Sequence, residues 1–557
     1  MNKDYIIEKI KELIFYLKLN DDNVFKIRAY ENAIEKLKAL TQPLNEVIEN
    51  EKLKEIDGIG DAIYNKINEL YHTGKLKALE KLNEKFPKSL VELNKISGLG
   101  PSKINELYNE YDIDNISKLE KFLESGKLKK VKGFGDKTVD NIAESINFYK
   151  NNRNLFLTYN LLIIFKQFKD EYQNRFKTGT INLFGDNRRY LPTSDRIKIL
   201  IENENKEELL EFLKKSSNIT DIKTSENNIS FLYKNYPVNA VVAFNDNYYQ
   251  TLHEITGSEE YIKEFKKKFD GSIKNISLKS EKEIYNILKV NYIPPELRET
   301  EDDLHISKEE LNNLVTKKDI KGMIHLHSNF SDGIETIDDI RNYLIEKNYE
   351  YMVLTDHSES SYYAGGLKEK DLLEQWKIID KLNNKSKKFR IYKGIELDIL
   401  SDGSLDYNEK LWKKFDFIIA SIHSNLNMSK SKATKRILKA LDNPYINMIG
   451  HISGRLLTKR EGYELDYKAI FDKSADKNIS IEFNCNPYRM DLDWELFELF
   501  NQKNLKTSIN TDAHKLSNFK YIDYGVKLMR KAKVPRKNIL NTMSLREFEN
   551  YIKNEGK

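Results

Sequence analysis

Between residues 322 and 510 the chain repeats one unit: a short apolar run, a polar residue able to bind metal at or just after its end, then an amphipathic stretch. The runs are Gly322 to Leu326, Met352 to Thr355, Arg390 to Lys393, Phe417 to Ser421, Met448 to Gly450, Ser480 to Phe483 and Thr507 to Asn510. Apolar strands alternating with amphipathic helices are the pattern of a (β/α) barrel, which keeps its chemistry at the C-terminal ends of its strands. The polar residues in that register are His325 and His327 with Asp332, then His357, Glu396, His423 and His451, and finally Asp512 with His514. Neutral imidazole and carboxylate are the ligands that zinc and manganese take. A single such histidine reads more simply as a satisfied core or surface residue. Six of the chain's nine histidines share the register, however, and His72, His253 and His305 have no comparable setting.

A chain of 557 residues exceeds one ordinary core, so three or four domains are expected. The 92 basic residues against 87 acidic ones leave a net charge of only +5, so any nucleic-acid-binding surface must be local. One cysteine excludes a disulfide framework and fits a reducing compartment. The opening residues pattern as an amphipathic helix, unlike a signal peptide, and no run approaches the roughly 18 apolar residues of a membrane span. A cytoplasmic protein with no membrane partner is expected.

Before residue 150 the pattern is helical, and one short segment recurs: Ile56-Asp57-Gly58-Ile59-Gly60, Ile96-Ser97-Gly98-Leu99-Gly100 and Val131-Lys132-Gly133-Phe134-Gly135. Two glycines around an apolar residue allow a tight turn and leave backbone N–H groups exposed at the start of the following helix, where a phosphate can bind. This is the helix-hairpin-helix way of holding a DNA backbone without reading bases. One copy could be a plain interhelical turn; three copies favour DNA, with Gly58, Gly60, Gly98, Gly100, Gly133 and Gly135 at the contact. Lys66, Lys103, Lys129, Lys130 and Lys137 fit a phosphate-facing surface. From 150 to 300 helices mix with short strands, namely Ile181 to Phe184, Arg196 to Ile201, Ile229 to Leu232 and Val238 to Ala243. The proline pair in Tyr292-Ile-Pro-Pro-Glu-Leu-Arg298 stops helix continuation, and acidic residues follow.

This order of parts, with Phe25-Lys-Ile-Arg-Ala-Tyr30, Gly185-Asp-Asn-Arg-Arg189, Thr256-Gly-Ser258 and Tyr292 to Glu299, resembles the bacterial and archaeal family X DNA polymerases that carry a C-terminal polymerase-and-histidinol-phosphatase (PHP) domain. The resemblance covers nearly the whole chain. It implies a multidomain α/β protein: a helical helix-hairpin-helix region, a nucleotidyltransferase palm with thumb (α+β), and a distorted (β/α)7 PHP barrel. The corresponding boundaries are 1–85 for an N-terminal helical domain with the first hairpin, 86–150 for the second and third, 151–298 for palm and thumb, 299–320 for a linker and 321–557 for the PHP domain.

In that family three aspartates of the palm hold two Mg2+ ions. Here Asp186 stands where a phosphate-binding serine is expected, the strand that should carry Asp-x-Asp reads Arg196-Ile-Lys198, and the third aspartate aligns with Asn239. A side-chain cation at such a site occupies the position of the metal ion. The palm is therefore expected to lack Mg2+ and polymerase activity, with Arg196 and Lys198 either ordinary strand residues or contacts to DNA phosphate.

The PHP segments, by contrast, keep every ligand. Carried over by position, His325, His327, Glu396 and Asp512 surround one ion, Glu396 with His423 and His451 a second, and Asp332, His357 and His514 a third. Mn2+, Zn2+ or Fe2+ suits such mixed ligation. His325, His327, Glu396 and Asp512 are the expected catalytic set, with Arg455 placed to hold a phosphate oxygen, Asn484, Asn486 and Arg489 as candidate pocket residues, and Cys485 a buried apolar one. The expected function is a DNA-repair protein, nucleoid-associated and monomeric, whose PHP domain acts on gapped, nicked, 3'-end or abasic-site duplex as a 3'-5' exonuclease, 3'-end processing enzyme or abasic-site endonuclease. The alternatives are an active gap-filling polymerase of base excision repair, a non-catalytic DNA-binding scaffold, and a phosphatase for small phosphomonoesters.

Overall fold

The computed structural model describes all residues except 1–2, 41–43, 51, 57, 178, 203–204, 244–246, 270–275, 387 and 555–557. It divides into two compact units, Met1–Arg153 and Asn154–Lys557.

The first unit is all-helical. Its core is drawn from the inward faces of helices such as Lys3–Leu19, Val24–Ala39, Asp61–Thr73 and Asp136–Asn152. The three glycine segments adopt the same turn. Gly58, Gly98 and Gly133 sit at φ +91°, +89° and +85°, a region closed to most side chains. In each turn the residue between the glycines (Ile59, Leu99, Phe134) is buried and donates its N–H to the carbonyl three residues back, at 3.0–3.1 Å. Gly60, Gly100 and Gly135 then cap the helices Asp61–Thr73, Pro101–Tyr111 and Asp136–Asn152. A Cβ at Gly60, Gly100 or Gly135 would meet nothing within 4 Å, so the backbone there lies open. Asp57 of the first turn is outside the described residues. Of the lysines expected on this surface, Lys129 is paired with Asp136 at 2.9 Å.

The second unit opens with a five-stranded sheet in the order Ile181–Leu183, Ile197–Glu202, Tyr236–Ala243, Asn228–Tyr233, Ile219–Thr224. Only the pair Ile197–Glu202 and Tyr236–Ala243 is parallel, and it sets Lys198 beside Asn239. The strand Ile219–Thr224 has no counterpart in the sequence expectation. It is an edge strand exposed along most of its length, so it shows no apolar alternation. The helices Tyr248–Thr256, Glu259–Phe269 and Glu281–Leu288 follow, packed around Tyr261, Tyr285 and a fully buried Arg298. Arg298 is paired with Glu281, which also takes both terminal nitrogens of Arg188.

Residues 299–320, expected as a linker, are built into the fold. Reciprocal capping boxes at Thr300/Asp303 and Ser307/Glu310 start two short helices, and Leu304, Leu314 and Val315 are buried. The remainder is a seven-stranded parallel sheet in sequential order: Gly322–Ile324, Tyr351–Leu354, Arg390–Asp398, Phe417–Ser421, Met448–Ile449, Ser480–Asn484 and Thr507–Asn510. A bridge between Leu326 and Ala513 joins the first strand's continuation to the last and nearly closes the barrel. Helices on the outside make these strands apolar on both faces, which is why each reads as a continuous run. The third strand runs five residues beyond the expected Lys393, so Glu396 and Asp398 lie on the strand itself. Among the described residues no helix is long and apolar enough to cross a membrane.

Candidate metal centre

All nine expected metal-ligating residues converge at the C-terminal end of the barrel. Glu396 is at the middle. Its Oε1 lies 2.9 Å from His451 Nε2 and 3.2 Å from His423 Nε2, and its Oε2 lies 3.1 Å from His357 Nδ1 and 3.4 Å from His325 Nε2. Asp512 Oδ1 approaches His327 Nε2 at 3.2 Å and His325 Nε2 at 3.6 Å. Asp332 Oδ2 lies 3.2 Å from His514 Nε2 and 3.6 Å from His357 Nε2.

Four groups have ligand atoms all within 4.8 Å of one another: His327, Asp332, His357 and His514; His325, His327 and Asp512; His325, Glu396 and His451; His357, Glu396 and His423. The groups share more members than the carried-over assignment does. His327 joins Asp332, His357 and His514, and His357 joins Glu396 and His423.

The backbone is strained where two of these side chains are presented: His325 sits at φ +61° and Asp512 at φ +49°. Non-glycine residues in this region cost roughly 1–3 kcal/mol and persist where the surroundings over-determine them. His325 Nε2, His357 Nδ1 and His423 Nε2 face Glu396 at 3.1–3.4 Å without hydrogen-bond geometry, and buried His327 Nδ1 has no hydrogen-bond partner among the described residues. An orphaned buried nitrogen is costly, and a metal ion is the partner that this donor set fits.

Burial pushes the His327 imidazole down to about 3, and that of His451 below its ordinary range, which keeps both neutral and ready to ligate. Burial alone would raise Glu396 and Asp512, but the surrounding imidazoles, His423 first for Glu396 and His325 first for Asp512, hold both well below the usual carboxylate range.

A second layer of side chains fixes the first. His325 Nδ1 lies 2.5 Å from Glu482 Oε1, and Glu482 also accepts from the His451 N–H and from Asn510. Asp398 pairs with His423 Nδ1 and accepts the hydroxyls of Ser360 and Ser361 at 2.8 and 3.0 Å. Fixing one imidazole nitrogen aims the other at the ion. Neither Glu482 nor Asp398 is among the residues that the sequence pattern singles out. The signal for Glu482 was there in the sequence, since a carboxylate inside the otherwise apolar run Ser480 to Phe483 must have a partner.

Arg455 departs from expectation. Its Nε donates to the Arg489 carbonyl at 2.9 Å, and its terminal nitrogens pair with Asp493 and the Met490 carbonyl. All three nitrogens are thus engaged in lacing the 489–493 segment, and no fork is left for a phosphate. Arg489 is the guanidinium that reaches the centre, with Nε 3.3 Å from Asp512 Oδ2. Asn484 donates to the same Asp512 oxygen at 3.2 Å, whereas Asn486 caps its own loop by accepting from the Tyr488 N–H. Cys485 is fully buried among apolar neighbours.

At the palm, Asp186, Asp195, Arg196, Lys198 and Asn239 line one open cleft of about 510 Å³. Lys198 Nζ sits 2.9 Å from Asp186 and 3.4 Å from Asp195, and Arg196 pairs with Asp195 at 2.7 Å. Arg188 is held by Glu281 and Thr256, and Arg189 by Glu299 and the Thr256 carbonyl. The cleft thus holds internal ion pairs among Asp186, Asp195, Arg196 and Lys198.

A glycine-capped helical unit, a nucleotidyltransferase-like sheet and a PHP barrel with a buried His/carboxylate cluster define a DNA-binding protein with a metal-dependent hydrolase domain. Residues 1–76 match the Helix-hairpin-helix domain family, residues 90–147 the SAM-like Helix-hairpin-helix tandem and residues 324–486 the PHP domain. The chain is 31% identical over 572 aligned residues to the DNA polymerase/3'-5' exonuclease PolX of Bacillus subtilis, covering 99% of this chain and 100% of that protein. It is 30% identical over 176 residues to a probable phosphatase of Clostridium acetobutylicum, covering 30% of this chain and 69% of that one. A probable phosphatase of Caldanaerobacter subterraneus is 23% identical over 227 residues, or 38% and 82% of the two chains. The chain belongs to the PolX family, the family X DNA polymerases with a C-terminal PHP domain.

Proposed function

We propose that this protein is a DNA-repair nuclease whose PHP domain removes nucleotides or blocking groups from 3' ends, and that its palm no longer polymerises. The contrast between the two sites carries this reading. The barrel brings together nine candidate ligand side chains with Glu396 at their middle, while the palm holds a Lys198–Asp186 ion pair beside Asn239. His325, His327, Asp332, His357, Glu396, His423, His451, Asp512 and His514 would hold divalent ions, three in this reading and Mn2+, Zn2+ or Fe2+ by ligand type, which when bound would supply activation of water and charge neutralisation at phosphorus.

The chain's own residues do the rest. Glu482 and Asp398 orient His325 and His423, and Arg489 offers its guanidinium to a phosphate oxygen at the rim of the cluster. The open backbone at Gly60, Gly100 and Gly135 holds the DNA backbone without sequence preference. Lys198 fills the place of a palm metal with a tethered ammonium, so the palm serves as a platform. The protein works as a monomer on gapped, nicked or 3'-ended duplex in the nucleoid.

Replacing His325 and His327 together by alanine is expected to abolish metal-dependent hydrolysis of a 3'-recessed duplex. Undiminished hydrolysis in that variant would refute the assignment. A second reading, a gap-filling polymerase, is favoured by the full-length likeness to PolX. Primer extension at a gap separates the two.

A further inference from the structure

The loop after the second barrel strand is anchored to the metal centre and yet carries an exposed aromatic pair. Its two ends are tied together: Leu367 donates to the His357 carbonyl at 2.9 Å, and Gly366 to the Ser361 carbonyl at 3.1 Å. A Cβ at Gly366 would lie 1.9 Å from the Ser358 carbonyl oxygen, so only glycine closes this loop. Ser360 and Ser361 donate to Asp398, the carboxylate that holds His423, and the Ser360 N–H donates to Asp406 at 2.8 Å. Ala364 and Leu367 are buried beneath it. At the tip stand Tyr362, 85% exposed, and Tyr363, 61% exposed, with ring centroids 6.0 Å apart. Tyr362 is the most exposed large apolar side chain among the described residues.

A disordered tip would explain exposed tyrosines, but this loop is fixed at its base by two serines, a glycine contact and two buried side chains. Nothing in the packing of the barrel requires rings at that position. Their surroundings are those of the reaction. Ser361, the residue before Tyr362, donates to Asp398, and Asp398 in turn holds the imidazole of His423 in the metal centre. Aromatic rings on a rigid support beside the proposed hydrolytic centre suit a nucleobase with an uncovered face, because stacking needs the base unpaired and tolerates any base. In a duplex those faces are covered by neighbouring base pairs.

We propose that Tyr362 and Tyr363 form a stacking platform for the unpaired terminal nucleobases of a single-stranded 3' end, and so select frayed or tailed ends for the adjacent centre. This rests on the nuclease reading above for its biological sense, but the binding can be tested apart from it.

The probe is full-length protein in chelator with a gapped duplex bearing a short 3' tail, 2-aminopurine being placed either at the tail's terminus or deep in the duplex. Stacking is expected to quench the terminal probe and leave the duplex probe unchanged. Y362A/Y363A is expected to lose that quenching, and Y362F/Y363F to retain it. With metal restored, the wild type is expected to prefer the natural tail over one whose last three nucleosides are replaced by propyl phosphate spacers, by about tenfold in kcat/KM, as follows from the energy of stacking a base on an aromatic side chain. Y362A/Y363A is expected to show no such preference. Because the preference is a ratio within one variant, damage to the metal centre cancels. Quenching that survives in Y362A/Y363A, or its absence in the wild type, overturns the platform. A wild type that quenches the probe but hydrolyses neither tail leaves the platform standing and overturns the nuclease reading.

Discussion

At the level of single residues, the centre is set by carboxylates that touch imidazoles and not necessarily an ion. Glu482 and Asp398 each fix the Nδ1 side of a ligand histidine. Glu482→Gln and Asp398→Asn are each expected to weaken metal affinity about 10- to 100-fold, measured by chelator competition; affinity equal to wild type would show that these contacts do not orient the ligands. The nine residues that converge at the barrel's end were legible in the sequence because both their chemistry and their register lie in it. Their second layer was not, because an acidic residue on a strand does not announce which histidine it faces. Arg455 shows the same limit. Its place after His451-Ile-Ser-Gly fits a phosphate contact, and only the fold reveals that Asp493 and two carbonyls already take its nitrogens.

At the level of elements, the glycine hairpins separate two requirements that the sequence merges. Gly133 needs its φ of +85°, whereas Gly135 has an ordinary helix-capping conformation with open space where a Cβ would go. Gly133→Ala is expected to destabilise the helical unit by about 1 kcal/mol, the typical cost of the left-handed region. Gly135→Ala is expected to leave stability unchanged while weakening DNA binding. Urea unfolding and DNA titration of both variants check this, and equal stability losses would contradict it.

The thumb contributes a pH signature. Burial alone would raise Glu281, but the Arg298 and Arg188 guanidiniums outweigh it and hold the carboxyl at about 2. A carboxyl depressed in the folded state stabilises above its unfolded value near 4.5, and that stabilisation is lost as pH falls towards 2; the shift corresponds to about 3 kcal/mol as an upper figure. The stability gap between wild type and Glu281→Gln, read from thermal midpoints, is therefore expected to be full at pH 6 and to shrink steadily below 4.5. A gap independent of pH would mean that the pair contributes little. The barrel strands and most palm strands could be read from the sequence because continuous or alternating apolar runs announce them. Ile219–Thr224 could not, since an exposed edge strand has no buried face to pattern.

At the level of the whole molecule, the palm is built onto the barrel by buried charges and rings. Glu299 joins Arg189 of the palm to the buried Lys531 of the barrel helix Tyr521–Lys531, and Arg530 of that helix holds Glu296 at 2.7 Å. Tyr159 stacks edge-on to Tyr521, and Tyr524 donates to the Leu191 carbonyl at 3.3 Å. A palm engaged in this way covers the barrel helix and cannot be removed without exposing it.

Whether the barrel centre is the sole working active site is read directly from a gapped duplex with a 5'-labelled primer, incubated with the full chain, Mn2+ and all four deoxynucleoside triphosphates. The primer is expected to shorten and never to lengthen, and to keep its full length with the His325→Ala/His327→Ala variant. Primer extension across the gap, by either protein, would contradict the account.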